Sequence, residues 1–177
     1  IHFAGSYLAE DAFGKNIDML NKVLKSVSGN KSLQIYLIST YAVFGNRETP
    51  AGPEETHAPL ENYALSKSLA ENEFKKFLSL GYTQGTIIRP CSLYGDYGRN
   101  FVDIIAESIK RQGKIEMVHF SNQFLHVLDF CKALSQIISL DNPSGSYNIE
   151  GEIITQEVLK EIFDQLNIEY TLHDKKV

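Results

Sequence analysis

Basic clusters, long apolar runs and paired cysteines are all missing from this sequence, and each absence removes a class of function. Among 177 residues, 17 Lys and Arg stand against 22 Asp and Glu, a formal charge of -5, and the basic residues form no run. Binding to a phosphate backbone needs clustered Lys and Arg, so no nucleic-acid partner is expected. No apolar stretch approaches the roughly 20 residues that span a bilayer, and no secretory signal pattern is visible, so no membrane association is expected. The two cysteines, Cys91 and Cys131, are far apart and have neither metal-ligand nor redox spacing. They read as two buried thiols in a reducing cytoplasm, with no metal site. What is present is apolar: 43% hydrophobic content in a chain of this length can bury one sizeable core, which argues for one domain or most of one.

Apolar periodicity switches repeatedly between helix and strand. Ile1 to Gly5 reads as the end of a buried strand, with something expected upstream of it. Asp11 to Val27 places Phe13, Ile17, Leu20, Val23, Leu24 and Val27 at helical spacing, closed by Ser28-Gly29-Asn30. Leu33 to Ser39 follows as a short strand, then a Pro-, Glu- and Thr-rich surface loop over Gly45 to Pro59, of the kind that is usually functional inside a compact domain. A helix is predicted over Glu61 to Leu80, strands over Thr86 to Arg89 and Ile115 to His119, and a helix over Phe101 to Gln112. Val127 to Leu140, apolar on more than one face, reads as a buried helix. Tyr147 to Ile149 reads as a short strand, and Thr155 caps a last helix to Leu166. This alternation predicts an α/β fold with a doubly wound parallel sheet, whose ligands lie at the carboxyl ends of the strands. Thr40, Pro90 and Gly5 fall at such ends.

One short stretch carries chemistry. Tyr63-Ala64-Leu65-Ser66-Lys67 puts a phenol and an ammonium one helical turn apart, beyond a strand end that bears Ser39 and Thr40. A tyrosine, with an ordinary pKa near ~10, acts as a base at neutral pH only if nearby positive charge stabilises the phenolate. Lys67 can supply part of that charge. Taken alone the pair is weak, because nine tyrosines would produce roughly half a Tyr-x-x-x-Lys match by chance. As an isolated pair it reads more readily as an amphipathic helix surface, Thr40 as a strand-end hydroxyl bonded to backbone, and Asn16 as a solvated helix residue. His126 reads as a packed strand residue, and Cys91 as a small buried filler.

Order supplies the specificity that the pair lacks. Ile38-Ser39-Thr40-Tyr41-Ala42-Val43-Phe44-Gly45, Tyr63-x-x-Ser66-Lys67, Arg89-Pro90 with Leu93-Tyr94-Gly95, His126-Val127-Leu128-Asp129 and Tyr147-Asn148-Ile149 succeed one another along the chain. Together with Ile1 to Gly5 as a fourth strand, this series resembles the extended short-chain dehydrogenase/reductase family, in particular its nucleotide-sugar epimerases and reductases. The resemblance implies a Rossmann-like domain over 1–177 that lacks its first strand-helix units, with parts of a substrate lobe within about 91–126 and 143–177. It also implies NAD or NADP as cofactor and Thr40, Tyr63 and Lys67 as catalytic residues. Tyr63 would move a substrate proton, Lys67 would hold the nicotinamide ribose and lower the Tyr63 pKa, and Thr40 would hold the reacting oxygen. Phe3, Ala4, Gly5, Ser39 and Pro90 join Tyr63 and Lys67 at the cofactor, and Phe44, Ser92, Arg99 and Asn100 fall at the substrate. Asn16 matches an Asn that shapes its helix and the proton path. A sugar substrate, a nucleotide-linked one above all, and a homodimer built on the helices bearing Asn16 and Tyr63 follow from the same likeness. The alternative is a non-catalytic regulatory or scaffold subunit of the same fold.

Departures narrow the reading. Members that eliminate water carry Asp-Glu directly after the catalytic Thr, where this chain has Tyr41 and Ala42, so a 4,6-dehydratase is disfavoured. Ser92 stands where many members carry Asn. Asn122 stands where many carry an Arg toward substrate phosphate, a contact for which Arg99 could substitute. The family's Gly-x-x-Gly-x-x-Gly turn is not in these residues, and by its spacing about 60 to 75 further residues would precede Ile1.

Overall fold

A computed structural model describes residues 12–47, 49–81, 83–96, 101–118 and 121–173. The strand expected at Ile1 to Gly5 lies outside them. In chain order the elements are α1 (Ala12–Val27), β1 (Gln34–Ile38), a short 3-10 helix (Tyr41–Phe44), α2 (Asn62–Ser79), β2 (Gln84–Pro90) and β3 (Ser92–Tyr94). There follow α3 (Phe101–Gln112), β4 (Lys114–Val118), β5 (Ser121–His126), α4 (Val127–Ile138), β6 (Gly145–Ile149), β7 (Glu152–Thr155), α5 (Gln156–Gln165) and β8 (Glu169–His173). The chain divides into two compact units, 1–91 with 133–149, and 92–132 with 150–177, the boundary falling once inside α4.

In the first unit β1, β2 and β6 form a parallel sheet in that order, with Ile38 beside Ile88 and Arg89 beside Asn148. Helical and strand periodicities meet in its core: Leu20 and Leu24 from α1, Ala70 and Phe74 from α2, Ile35 and Leu37 from β1, and Ile87 from β2. Helix α2 can approach because residue 85 is glycine; a side chain there would run into the Phe74 ring and Leu78. At the carboxyl end of β1, Thr40 caps the 3-10 helix, which Gly45 ends at φ 69. A side chain on Gly45 would strike the Ala58 carbonyl as well as being strained, so this turn requires glycine.

The second unit has two small sheets. Strand β3 pairs in parallel with β5, and β5 antiparallel with β7, while β4 pairs in parallel with β8. Its main core joins Ile115 and Met117 of β4 to Leu159 and Phe163 of α5, flanked by Phe101, Ile105 and Ile109 of α3. Helix α5 starts where Thr155 was expected to cap it, the hydroxyl accepting from the Val158 N–H at 3.4 Å.

Some expectations change. Helix α4 buries Phe130, Leu134 and Ile137 but leaves Leu128 60% exposed, so it is buried along one stripe and not all round. Its Cys131 is exposed while Cys91 is buried, which corrects the reading of two buried thiols. The loop from Gly45 is a surface segment only in part: Ala51 is buried, and side chains from three elements hold its backbone, as described below. Strands β3, β5, β7 and β8 were not expected from the sequence: β5 opens on the polar run Ser121-Asn122-Gln123, β7 leaves Ile153 56% exposed, and none carries a continuous buried apolar run.

Candidate active site

The carboxyl end of the first sheet brings several expected residues together. One turn of α2 separates Tyr63 from Lys67, whose Nζ lies 6.0 Å from the Tyr63 ring centroid. Lys67 is only 6% exposed and donates to the Ile38 carbonyl at 3.1 Å, which ties α2 to the last residue of β1. Burial pushes the Lys67 pKa down, and the nearby Glu71 opposes that shift. Ser39, the next residue along the chain, is buried, with its backbone N–H on Ile88 and its hydroxyl without a partner among the described residues. Thr40 Oγ1 accepts from the Ala42 N–H at 3.3 Å, so the backbone-bonding role does occur. A hydroxyl can donate and accept twice, so that bond uses only part of its capacity. Pro90 ends β2 beside Ile149 and is buried.

Asn16 is 3% exposed and therefore not a solvated helix residue. Its amide donates to Ser66 Oγ at 2.8 Å, and Ser66 donates to the Tyr63 carbonyl at 2.7 Å, so α1 fixes the turn of α2 that carries the phenol. Phe44 is 1% exposed, and as placed its ring offers a ligand almost no area. It packs edge-on to His57 and lies under the Arg89 guanidinium, 5.1 Å from its ring centroid. Ser92 Oγ accepts from Asn122 Nδ2 at 2.9 Å, so the two departures noted in the sequence bond each other. Arg99, Asn100, Phe3, Ala4 and Gly5 lie outside the described residues.

A charged network behind this edge was not foreseen. Arg89, 0% exposed, grips Glu71 with two bonds, Nε to Oε1 at 2.9 Å and Nη2 to Oε2 at 2.7 Å. Its Nη1 donates to the Pro53 carbonyl at 2.8 Å and to Asn148 Oδ1 at 3.2 Å. Asn148 Nδ2 in turn donates to the Ala51 carbonyl, and the Tyr41 hydroxyl accepts from the Ala51 N–H. Loop residues 51–53 are thus held from β2, β6 and the 3-10 helix. His57 Nδ1 lies 2.8 Å from Ser68 Oγ, and its Nε2 lies 3.4 Å from Glu71. Burial lowers the His57 pKa, Glu71 raises it less, and Arg89 and Lys75 lower it further. The signal was available: Arg89 ends an apolar strand, Glu71 follows Lys67 by one turn, and a charge in a buried strand needs a partner.

His126 ends β5, with Nδ1 accepting from the Leu128 N–H at 3.3 Å and its ring edge-on to Tyr94, a packing and capping role. Among the described residues no group of three His, Cys, Asp or Glu could hold a metal ion, and no helix is long and apolar enough to cross a membrane.

Residues 4–173 match the model of the NAD dependent epimerase/dehydratase family, and the chain belongs to that family. Its fold is that of solved members. A dTDP-glucose 4,6-dehydratase from Bacillus anthracis, solved with NAD, superposes with a TM-score of 0.81 at 22% identity over 98% of this chain and 60% of that one. A UDP-glucuronic acid 4-epimerase from Bacillus cereus, also with NAD, gives 0.83 at 15% identity over 97% and 61%. A UDP-N-acetylglucosamine 4-epimerase from Methanobrevibacter ruminantium M1 gives 0.76 at 23% over 93% and 57%. The chain therefore spans about three fifths of these proteins. No curated protein sequence matches it.

Proposed function

We propose that the protein containing this chain is an NAD(P)-dependent epimerase or ketoreductase acting on a sugar, nucleotide-linked by preference, with Tyr63 as its proton carrier. The observation that carries this is Lys67: a buried ammonium, anchored on the last carbonyl of β1 and one turn from a phenol, where the next residue, Ser39, has a buried hydroxyl with no partner among the described residues. Burying a charge without a task is costly, and this one faces the sheet edge where α/β ligands lie.

Ser39 and Lys67, with Pro90 flanking, fit a nicotinamide cofactor, because an orphaned buried hydroxyl and an ammonium can take up ribose and amide groups. When bound, that cofactor supplies hydride transfer. The rest belongs to the chain. The Tyr63 oxygen takes or returns the proton of the reacting sugar hydroxyl, Lys67 stabilises the phenolate form, and Thr40 holds the reacting oxygen with its remaining hydrogen-bond capacity. Tyr41 and Ala42 supply no carboxylate for eliminating water, and the Tyr41 hydroxyl is occupied at Ala51, which favours epimerisation or ketoreduction over dehydration. Phe44, Ser92, Arg99 and Asn100 are the proposed substrate contacts, Asn122 bonding Ser92, and the second unit is read as part of the substrate lobe. A cytoplasmic homodimer through α1 and α2 belongs to the same reading.

Replacing Tyr63 by Phe in the full-length protein tests it. Turnover is expected to fall about 10²- to 10⁴-fold while NAD binding, followed by calorimetry, is kept. Unchanged turnover would leave a non-catalytic, cofactor-binding subunit as the better reading.

A further inference from the structure

Burial of Lys67 favours losing its proton, and the charge of Glu71 opposes that loss. The charge whose field reaches Lys67 is that of Glu71 on α2; the Tyr63 ring lies 6.0 Å from Lys67 Nζ, and Arg89 of β2 and His57 of the connecting loop meet Glu71 itself. Glu71 supplies the negative charge, its two oxygens both accepting from a guanidinium that stays protonated. Residues one turn apart on a helix face each other at about 5–6 Å between Cβ atoms, so Lys67 and Glu71 are neighbours on the buried face. Lys67 bonds the Ile38 carbonyl, whereas Glu71 is turned to Arg89 and His57. The carboxylate is therefore close enough to act through space, but held back from capping the ammonium.

We propose that Glu71, clamped by Arg89, is a positioning residue: the fixed buried counter-anion that keeps Lys67 charged and directed at Tyr63. The clamp gives this its geometry. Arg89 is itself fixed by Pro53, Asn148 and, at 3.4 Å, Ser146, so Glu71 cannot swing toward Lys67 without abandoning a bidentate bond. A free carboxylate would pair with the ammonium directly, withdrawing its charge from the phenol. The opposing push of Glu71 against the desolvation of Lys67 agrees with this arrangement.

The inference rests on the catalytic reading of Tyr63 and Lys67, and its test separates the two. In the full-length protein labelled with 13Cε-lysine, the Lys67 resonance is assigned by its loss in Lys67→Arg and titrated by NMR, while kcat/KM is followed against pH. Glu71→Gln is expected to move the Lys67 titration about one unit lower, a tenfold change in proton affinity, and the alkaline limb of kcat/KM with it. Glu71→Asp should stay near the wild-type titration. If Glu71→Gln does not fold, the double variant Arg89→Met with Glu71→Met removes the pair without stranding a charge, and should move the titration in the same direction by less. A Lys67 titration unmoved in the folded variants overturns the inference, even where Tyr63→Phe abolishes turnover. A shifted titration in a protein whose turnover ignores Tyr63 upholds the counter-anion and removes the catalytic reading instead.

Discussion

Every buried polar or charged residue among the described ones, from Asn16 to Arg89, belongs to the first unit, whereas the buried residues of the second are apolar, such as Ile115, Met117, Phe124, Leu159 and Phe163, with Gln123 of the second unit burying its Oε1 atom alone. A polar network in a low-dielectric interior is stable only if its members satisfy one another, so each member fixes the rest. An apolar core is held by volume and shape, and tolerates exchange that conserves them. The first unit is therefore built for fixed geometry, which the proposed proton transfer needs. The second carries its polar pairs near the surface, as Ser92 with Asn122 and Asp129 with Lys132, where contacts can change without endangering the fold.

The sharpest way to break that contrast is to remove one member of the network. Arg89→Met strands the Glu71 carboxylate and should destabilise the full-length protein by about 3–5 kcal/mol, whereas the volume-conserving Met117→Leu in the second unit should stay under about 1.5 kcal/mol. Urea unfolding measures both, and equal losses would erase the distinction. A smaller effect comes from His57. Its folded pKa lies below the ordinary 6.5, so between the two values the unfolded chain binds more protons than the folded one. The stabilisation from keeping His57 neutral is complete above about pH 6.5 and is lost as the pH falls below it. His57→Gln should flatten the decline in Tm between pH 7 and 5; an identical decline would show that His57 is not responsible. The smallest effect is expected for Asn122→Ala, within about 0.5 kcal/mol in stability because the pair is exposed. Steady-state kinetics should show KM rising with kcat nearly unchanged, and a collapse of kcat would move this pair from binding into chemistry.

Much of the first unit was legible because its signals are periodic. The helical spacing of Leu20 and Leu24 and the apolar run of Leu33 to Ser39 report the core, which Ala70 and Phe74 of α2 complete. The second unit was harder to read. Strand β5 opens on the exposed Ser121 and Asn122, and β8 exposes Glu169, Leu172 and His173, so their pairing comes from partners distant in sequence and not from a local apolar pattern. At the site, Tyr63, Lys67 and Thr40 were visible as an ordered series of motifs. Phe44 was assigned from its motif as a ligand contact, and what only the structure adds is its packing beneath Arg89 and against His57. Asn16 looked like a surface amide until α2 brought Ser66 against it.

The sequence by itself determined that Tyr63 and Lys67 share a helix face, that Ser39 and Thr40 end a strand, and that the motifs follow the order of one family. Those properties depend on local periodicity and on order along the chain. Only the tertiary structure decided what gathers around Glu71, the charge that acts on Lys67. Glu71, Arg89, Asn148 and His57 are separated by up to 91 positions, and no local propensity specifies their meeting. The parallel register that sets Arg89 beside Asn148, and the packing of α2 against β2, bring them together. Burial then makes their charges count, because the electrostatic field of a fixed carboxylate is strong where water is excluded.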